Sequence, residues 1–204
     1  SLVGSEMCIR DRQVDYRDIY TEGITKITKT DIEYAKALHA SIKLLGTSKW
    51  EDDGKIYSMV APFMIDSDHP LGHVNGVFNG IFVNGNMLGD TMFYGKGAGK
   101  LPTASAVVAD VVDAVKHQGT NIMTIWEQDK VELGDRTNFA CRFFVRVADT
   151  TSKETIEKVF GEVEYVTLAD VSGEYAFLTE KLTEGAFEEK SKQVDMIMRI
   201  RTAL

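Results

Sequence analysis

Cysteine is scarce in this 204-residue sequence: there are only two, Cys8 and Cys141. Two cysteines cannot build a disulfide framework, so the expectation is a reduced, cytoplasmic chain in which Cys141 is a small buried hydrophobe. Long apolar runs are also missing. The longest, Ala104 to Val115, is broken by Asp110 and Asp113 and falls short of the roughly 18 residues that mark a membrane span, so a soluble protein is predicted. An excess of basic charge is lacking too. With 23 Lys and Arg against 31 Asp and Glu, the net charge of -8 repels phosphate backbones and anionic membranes, which argues against nucleic-acid or membrane partners. Internal repeats and low-complexity tracts are absent. What is present, 44% hydrophobic and 26% charged residues, suffices for one ordinary domain or two small ones.

Residues 1–12, SLVGSEMCIRDR, have no initiator Met, no apolar core of a signal peptide and no periodicity. The string looks like one that recurs at the ends of metagenomic translations, as if adapter bases had been read through into a truncated gene. We therefore expect an artefactual or mobile tail and a fragmentary chain, and exclude the tail from fold reasoning.

From Gln13 the first clear element is a helix opening at Thr30. Thr30 and Glu33 match a capping box, and Ile32, Ala35 and Leu38 are expected to face inward while Glu33 and Lys36 face water. Strand formers follow in Ile42 to Leu45, Lys55 to Met64, Val77 to Val83 and Met87 to Tyr94, with Asn84-Gly85 as a hairpin turn that tolerates positive φ. A second helix begins around Pro102-Thr103. Its stripe of Ala104, Val107, Val108, Val111, Val112 and Val115 is expected to pack on a sheet, because valine is a modest helix former on its own. His117-Gln118-Gly119 supplies the stop. Residues 120–137 read as a linker in which Trp126 is a candidate packing anchor.

The remainder reads strand, helix, strand, strand, helix, strand. Ala140 to Val147 is a strand. Thr151-Ser152-Lys153-Glu154 caps a helix with Ile156, Val159 and Phe160 inward. Glu162 to Val171 and Glu174 to Leu182 flank a tight turn at Ser172-Gly173. Thr183 opens a helix carrying Phe187, and Val194 to Ile200 closes the order. This is the βαββαβ pattern of a ferredoxin-like sandwich. The predicted fold class is α/β (α+β): a mixed sheet with covering helices, then a βαββαβ domain.

The segment most suggestive of chemistry is Phe93-Tyr94-Gly95-Lys96-Gly97-Ala98-Gly99-Lys100-Leu101-Pro102-Thr103-Ala104. Alternating glycines let main chain approach a ligand, and the N–H groups of the following helix favour an anionic or carbonyl group. The G-x-G-x-G spacing is neither a Rossmann first turn nor a Walker loop. The alternative is a tight turn that merely presents Lys96 or Lys100. His69 and His73 are four apart, but Pro70 and Gly72 argue against the helix that zinc ligation at that spacing needs, so no metal site is predicted. His39 and His117 stand alone. Asp52-Asp53, Glu188-Glu189 and Asp110 with Asp113 read as solvated faces, and no Ser/His/Asp or Cys/His arrangement stands out.

As strings these residues say more. Tyr20-x-Glu22-Gly23-Ile24 with Ile27-Thr28 and Asp31-Ile32; Ile42-Lys43-Leu44-Leu45-Gly46; His69-Pro70-Leu71 with Val74-Asn75-Gly76-Val77-Phe78-Asn79; and Met92 to Gly99 running on through Leu101-Pro102-Thr103-Ala104 to Asp110 resemble the catalytic domain of homoserine dehydrogenase over about a hundred residues. Residues 13–119 would be the C-terminal portion of that domain, 120–137 a linker, and 138–204 an ACT-like regulatory domain. The resemblance implies NAD(P)-dependent interconversion of L-homoserine and L-aspartate 4-semialdehyde, on the route to threonine, methionine and isoleucine, with NADP or NAD as cofactor, a small-molecule substrate and a homodimer. It places the Rossmann domain and the proton-transferring lysine ahead of the point matching Gln13, so no catalytic residue is assigned here and Lys43, Lys96 and Lys100 are not put in that role. The isolated chain is expected to be inactive. Gly99 falls at the family's C-terminal cofactor-contacting glycine, with Gly97 beside it in the turn.

Two departures stand out. Leu38-His39-Ala40 replaces the family's frequent Leu-Gly-Tyr, and Asp149-Thr150-Thr151-Ser152 lacks the Pro and Gly of the usual ACT loop, which bears on threonine binding. The strands Lys55 to Met64 and Val77 to Val83 could pair across a dimer or be buried within one chain. A competing reading is a non-catalytic, amino-acid-sensing ACT-type protein.

Overall fold

The computed structural model describes residues 8–9, 12–51, 54–120 and 131–203. Asp52-Asp53 and Trp126, singled out above, lie outside them. In chain order the strands and helices are β1 (Cys8–Ile9), β2 (Arg12–Gln13), β3 (Tyr20–Thr21), α1 (Lys29–Ala37), β4 (Ala40–Trp50), β5 (Ile56–Asp66), β6 (Phe78–Gly85), β7 (Gly89–Lys96), α2 (Lys100–Lys116), β8 (Ala140–Ala148), α3 (Lys153–Phe160), β9 (Val163–Val166), β10 (Glu174–Thr179), β11 (Leu182–Thr183), α4 (Glu184–Ser191) and β12 (Met198–Ala203). The backbone of the tail is not featureless, since β1 pairs antiparallel with β2. The chain forms two compact units, one from residues up to 66 together with the C-terminal part, the other from residues 67–125.

The first unit is organised by an eight-stranded mixed sheet. Its path runs β3-β5-β12-β8-β10-β9, with β4 on β5 and β11 on β8. β5 is buried along almost its whole length, as its apolar run, interrupted only by Ser58, requires. β4 pairs along one edge of it, from Ala40 opposite Asp66 to Trp50 opposite Ile56. Parallel pairing to β3 involves Met59 and Val60, and to β12 involves Phe63 to Ile65. Pro62, which has no N–H to give, falls between those two registers. The choice left open for Lys55 to Met64 is thereby settled in favour of burial within the chain.

The C-terminal part follows the expected βαββαβ order with one addition, the two-residue β11 between β10 and α4, and its four main strands lie β12-β8-β10-β9, all antiparallel. α3 and α4 cover one face: Ile156, Val159, Phe160 and Phe187 join Phe143, Val145 and Phe177 in one core cluster, where Phe143 and Phe187 stack at 3.9 Å. Ser152 and Thr183 cap these two helices as predicted. On the other face, Phe144, Ala176, Leu178 and Ile200 receive Tyr34 and Ala35 of α1.

Several local expectations shift. α1 starts earlier than predicted: Thr28 is the cap, its hydroxyl accepting from the Asp31 N–H while the Asp31 carboxylate accepts from the Thr28 N–H. The inward face is accordingly Asp31, Tyr34 and Ala35, and Ile32 is exposed. Ser172-Gly173 is not a tight hairpin, because β9 ends at Val166; Gly173, at φ 81°, instead closes a longer connection. The last strand begins at Met198, leaving Val194 buried but outside it.

In the second unit β6 and β7 form an antiparallel hairpin. Its turn lies beyond Asn84-Gly85: those residues pair with Asp90 and Gly89, and Gly89 at φ 69° supplies the left-handed residue. α2 ends at Lys116 with His117 as cap and Gly119 at φ 80°, in line with the predicted stop. Its valine stripe departs from expectation, for none of the helix's 17 residues is buried. Among the described residues no helix is long and apolar enough to cross a membrane.

Candidate functional site

The glycine turn joins β7 directly to α2. Gly97 and Gly99 are both exposed, and each has a separate reason to be glycine. A Cβ on Gly97 would lie 2.3 Å from Nδ2 of Asn79, whose side chain fills the space that a larger residue would need. Gly99 has φ 131° and ψ 150°, a conformation essentially restricted to glycine. It is also the N-cap of α2, and no side chain caps that helix; the first intrahelical bond runs from the Thr103 N–H to the Gly99 carbonyl at 3.1 Å. Pro102 sits in the first turn, where a missing N–H costs nothing. The result is bare main chain at the entry of a 17-residue helix, facing solvent. Such an end can receive an anionic or carbonyl group.

The hairpin frames this turn. Phe78 and Tyr94 stack at 4.8 Å, and Lys96 lies 5.7 Å over the Phe78 ring. Gly80 leaves room for Met92, Val74 and Leu71, which would all be within 3.1 Å of a Cβ there. Lys96 is thus drawn to the hairpin's own aromatic face, and Lys100 begins the helix.

The histidines are not brought together as ligands. His69 caps a 3-10 turn, its Nδ1 accepting from the Leu71 N–H at 3.1 Å, and its ring packs 4.8 Å from Phe82. His117 places Nδ1 2.9 Å from the Asp113 carbonyl. His39 has φ 51°, the one positive φ of a non-glycine residue among those described. Among the described residues no group of three or more His, Cys, Asp or Glu side chains could hold a metal. Cys141 is buried, and burial with the nearby Glu184 charge pushes its thiol up to about 12, so it is not a nucleophile.

Pattern reading missed two buried charge clusters. Arg201 (0% exposed) holds Glu184 (1%) through Nε at 2.5 Å and Nη2 at 3.0 Å, and reaches Glu22 at 2.7 Å. Arg136 adds bonds to Glu184 at 3.0 Å and to Glu188 at 2.7 Å, so Glu188 is a partnered acid and not merely part of a solvated face. The Tyr20 ring lies under Arg136 and Arg201, 4.6 and 5.4 Å away. Burial alone would raise the Glu22 carboxyl; the Arg201 hydrogen bond and the Arg199 and Arg201 charges outweigh it and hold Glu22 below the ordinary carboxylate range. In the second cluster Arg146 binds Asp31 at 2.6 Å, Glu174 at 2.6 Å and the Thr28 hydroxyl at 3.2 Å. The sequence signal was arginine among apolar residues, interspersed in β8 and alternating in β12, which reads equally well as a solvent face.

The loop between β8 and α3 makes several hydrogen bonds within the chain. The Asp149 N–H donates to the Gly173 carbonyl at 3.0 Å, the Tyr175 hydroxyl to the Thr151 carbonyl at 2.6 Å, and Ser152 caps α3. Two open concavities, of about 330 and 420 Å³, lie in the first unit, one against Lys49, Tyr57, Phe139 and Lys181, the other against Asp18 and residues 131–134. Neither is at the glycine turn.

A family model described as homoserine dehydrogenase matches residues 5–112. Homoserine dehydrogenase of Pseudomonas aeruginosa is 50% identical over 97 residues, covering 48% of this chain and 22% of that protein. That of Helicobacter pylori is 35% identical over 142 residues, covering 70% of this chain and 34% of its own length. Among solved structures, a homoserine dehydrogenase from Thiobacillus denitrificans superposes with a TM-score of 0.76 at 25% identity, covering 92% of this chain and 48% of that one. The S. aureus homoserine dehydrogenase structure at pH 7.0 gives 0.71 at 29% identity, covering 95% and 50%. The chain thus spans about half of these solved chains and between a fifth and about a third of these two curated relatives.

Proposed function

Because this chain belongs to the homoserine dehydrogenase family, we propose that it forms the C-terminal part of the catalytic domain of an NAD(P)-dependent oxidoreductase that interconverts L-homoserine and L-aspartate 4-semialdehyde. The observation that carries the proposal is the uncapped, solvent-facing main chain at Gly99. When bound, a nicotinamide cofactor would supply the hydride for the aldehyde carbon. The residues at the turn fit a supporting contact to that cofactor and not a complete binding site: they offer main chain at Gly97 and Gly99 and helix N–H groups. Gly99 is the stronger candidate, because its glycine-only conformation bares main chain at the entry of α2, whereas the small size of Gly97 is already required by Asn79. No proton-transferring role falls to Lys43, Lys96 or Lys100. The family match lies on residues 5–112 and so favours the enzyme over a free-standing amino-acid sensor.

The exposed apolar surface of the second unit supports the same reading. Val107, Val108, Val111, Val112 and Val115 are each about half exposed and so forgo on the order of half of the roughly 1.5–3 kcal/mol that full burial would bring, and Ile81, Val83 and Phe93 of the hairpin are exposed as well. A large exposed apolar surface marks an interface. We assign it to the remainder of the catalytic domain and to a homodimer contact in a cytoplasmic biosynthetic enzyme. Residues 138–204 are assigned as an ACT-like regulatory domain on the strength of their βαββαβ order.

Fragment complementation tests the function. The purified chain is mixed with the portion of the Pseudomonas aeruginosa enzyme that precedes the matched segment, and NADPH oxidation with L-aspartate 4-semialdehyde is followed. Turnover should appear in the mixture and in neither part alone, and Gly99→Val should abolish it. A co-purifying complex without turnover, or turnover by this chain alone, would overturn the proposal.

A further inference from the structure

Three residues of the strings that resemble the catalytic domain, Tyr20, Glu22 and Asp31, contact side chains of this chain itself. They are spent on arginines from the C-terminal half. Arg201 of β12 stands between Glu22 and Glu184, taking a carboxylate from each half of the first unit at 2.7 and 2.5 Å. Arg146 of β8 does the same with Asp31 and Glu174, both at 2.6 Å. Each guanidinium is at most 6% exposed, and each also lies near an aromatic ring from the N-terminal half: Tyr20 for Arg201, at 5.4 Å, and Tyr34 for Arg146, at 5.9 Å. Asp31 closes the capping box of α1 while it binds Arg146, so the start of α1 is fixed by a residue 115 positions away.

Buried arginines with two carboxylates apiece cannot separate from either one cheaply, because the group left behind would be an uncompensated buried charge. Arg201 itself lies in the parallel pairing of β12 with β5, opposite Phe63.

We propose that Arg146 and Arg201 are docking residues that lock the βαββαβ part to β3, α1 and β5, so that residues 14–66 and 131–203 open as one cooperative unit and the C-terminal part is not a hinged, independently mobile module. Any movement imposed on β8 or β12 is then delivered to α1 and β3 through these two side chains. α3 serves as an internal reference: it packs on the opposite face, in a core cluster that contains no residue of α1.

Hydrogen exchange of the whole chain, read by mass spectrometry across a urea series, tests this lock. In the unaltered chain, peptides from α1 and α3 should exchange with the same protection and the same urea dependence. In the double variant Arg146→Met with Arg201→Met, α1 and β3 should exchange at least about tenfold faster while α3 keeps its slower rate. If that variant does not fold, Glu22→Gln, which alters the most exposed of the four carboxylates, should accelerate β3 relative to α3. Separate opening of α1 and α3 in the unaltered chain would overturn the proposal. Variants in which the two remain matched, or fall together, would overturn the role given to the arginines.

Discussion

Arg201→Met is the sharpest test of what holds the first unit together. Methionine keeps an unbranched stem of similar reach but removes the guanidinium. Glu184, 1% exposed, then retains only Arg136, and Glu22 retains Arg199 at 3.2 Å. Breaking a buried pair by deleting one partner costs about 3–5 kcal/mol; the surviving arginines place this case near the lower end, at about 3 kcal/mol. With a urea dependence of about 2 kcal/mol per molar, the unfolding midpoint should fall by about 1.5 M. The assay is urea denaturation followed by far-UV circular dichroism at neutral pH, together with Glu184→Gln and the double variant. The double variant should lose less than the sum of the singles, because each single alone strands the other's charge. A midpoint shift below about 0.3 M for Arg201→Met, or strict additivity, would refute the reasoning.

Other outcomes follow from single positions. Glu22 is held below its ordinary range, so its contribution is present above the unfolded carboxyl value of about 4.3 and is lost as pH falls through the lower folded value; Glu22→Gln should flatten the acid limb of a stability-against-pH curve and leave its alkaline limb unchanged. His39→Gly should stabilise the chain by about 0.5–1 kcal/mol in thermal unfolding, since it relieves a left-handed backbone at an exposed site. Gly99→Ala should cost about 1–3 kcal/mol of stability in the same measurement, whatever its effect on cofactor contact. Cys141 should resist iodoacetamide at pH 8 in the folded chain and react readily in urea, because its folded thiol is pushed up to about 12.

Element existence was legible wherever one period dominated. The apolar runs of β5 and β8 and the Ser152 and Thr183 caps each depend on neighbours a few residues away. Thr28 and Thr30 show why boundaries were harder: each precedes an acid by three residues, and what selects Thr28 is Arg146, which bonds both Thr28 and Asp31 from 118 and 115 positions distant. No local rule carries that information. The hairpin turn moved for a similar reason, since the Asn84 carboxamide is occupied across the strands by Asp90 at 2.5 Å. The valine stripe of α2 was read correctly as apolar, but burial is a property of the partner, and none of that helix is covered among the described residues. At the candidate site, the glycine spacing made a backbone turn legible. It left unassigned that Gly97 answers to Asn79 and that Gly99 alone adopts the glycine-only conformation, because each fact rests on three-dimensional contact or dihedral angle.

The most direct test of the functional account is to titrate the isotopically labelled chain with NADPH and follow its amide resonances. Shifts centred on residues 97–103 and lost in Gly99→Val are expected. Shifts confined to other parts of the chain, with that turn silent, would contradict the assignment of Gly99 to the cofactor.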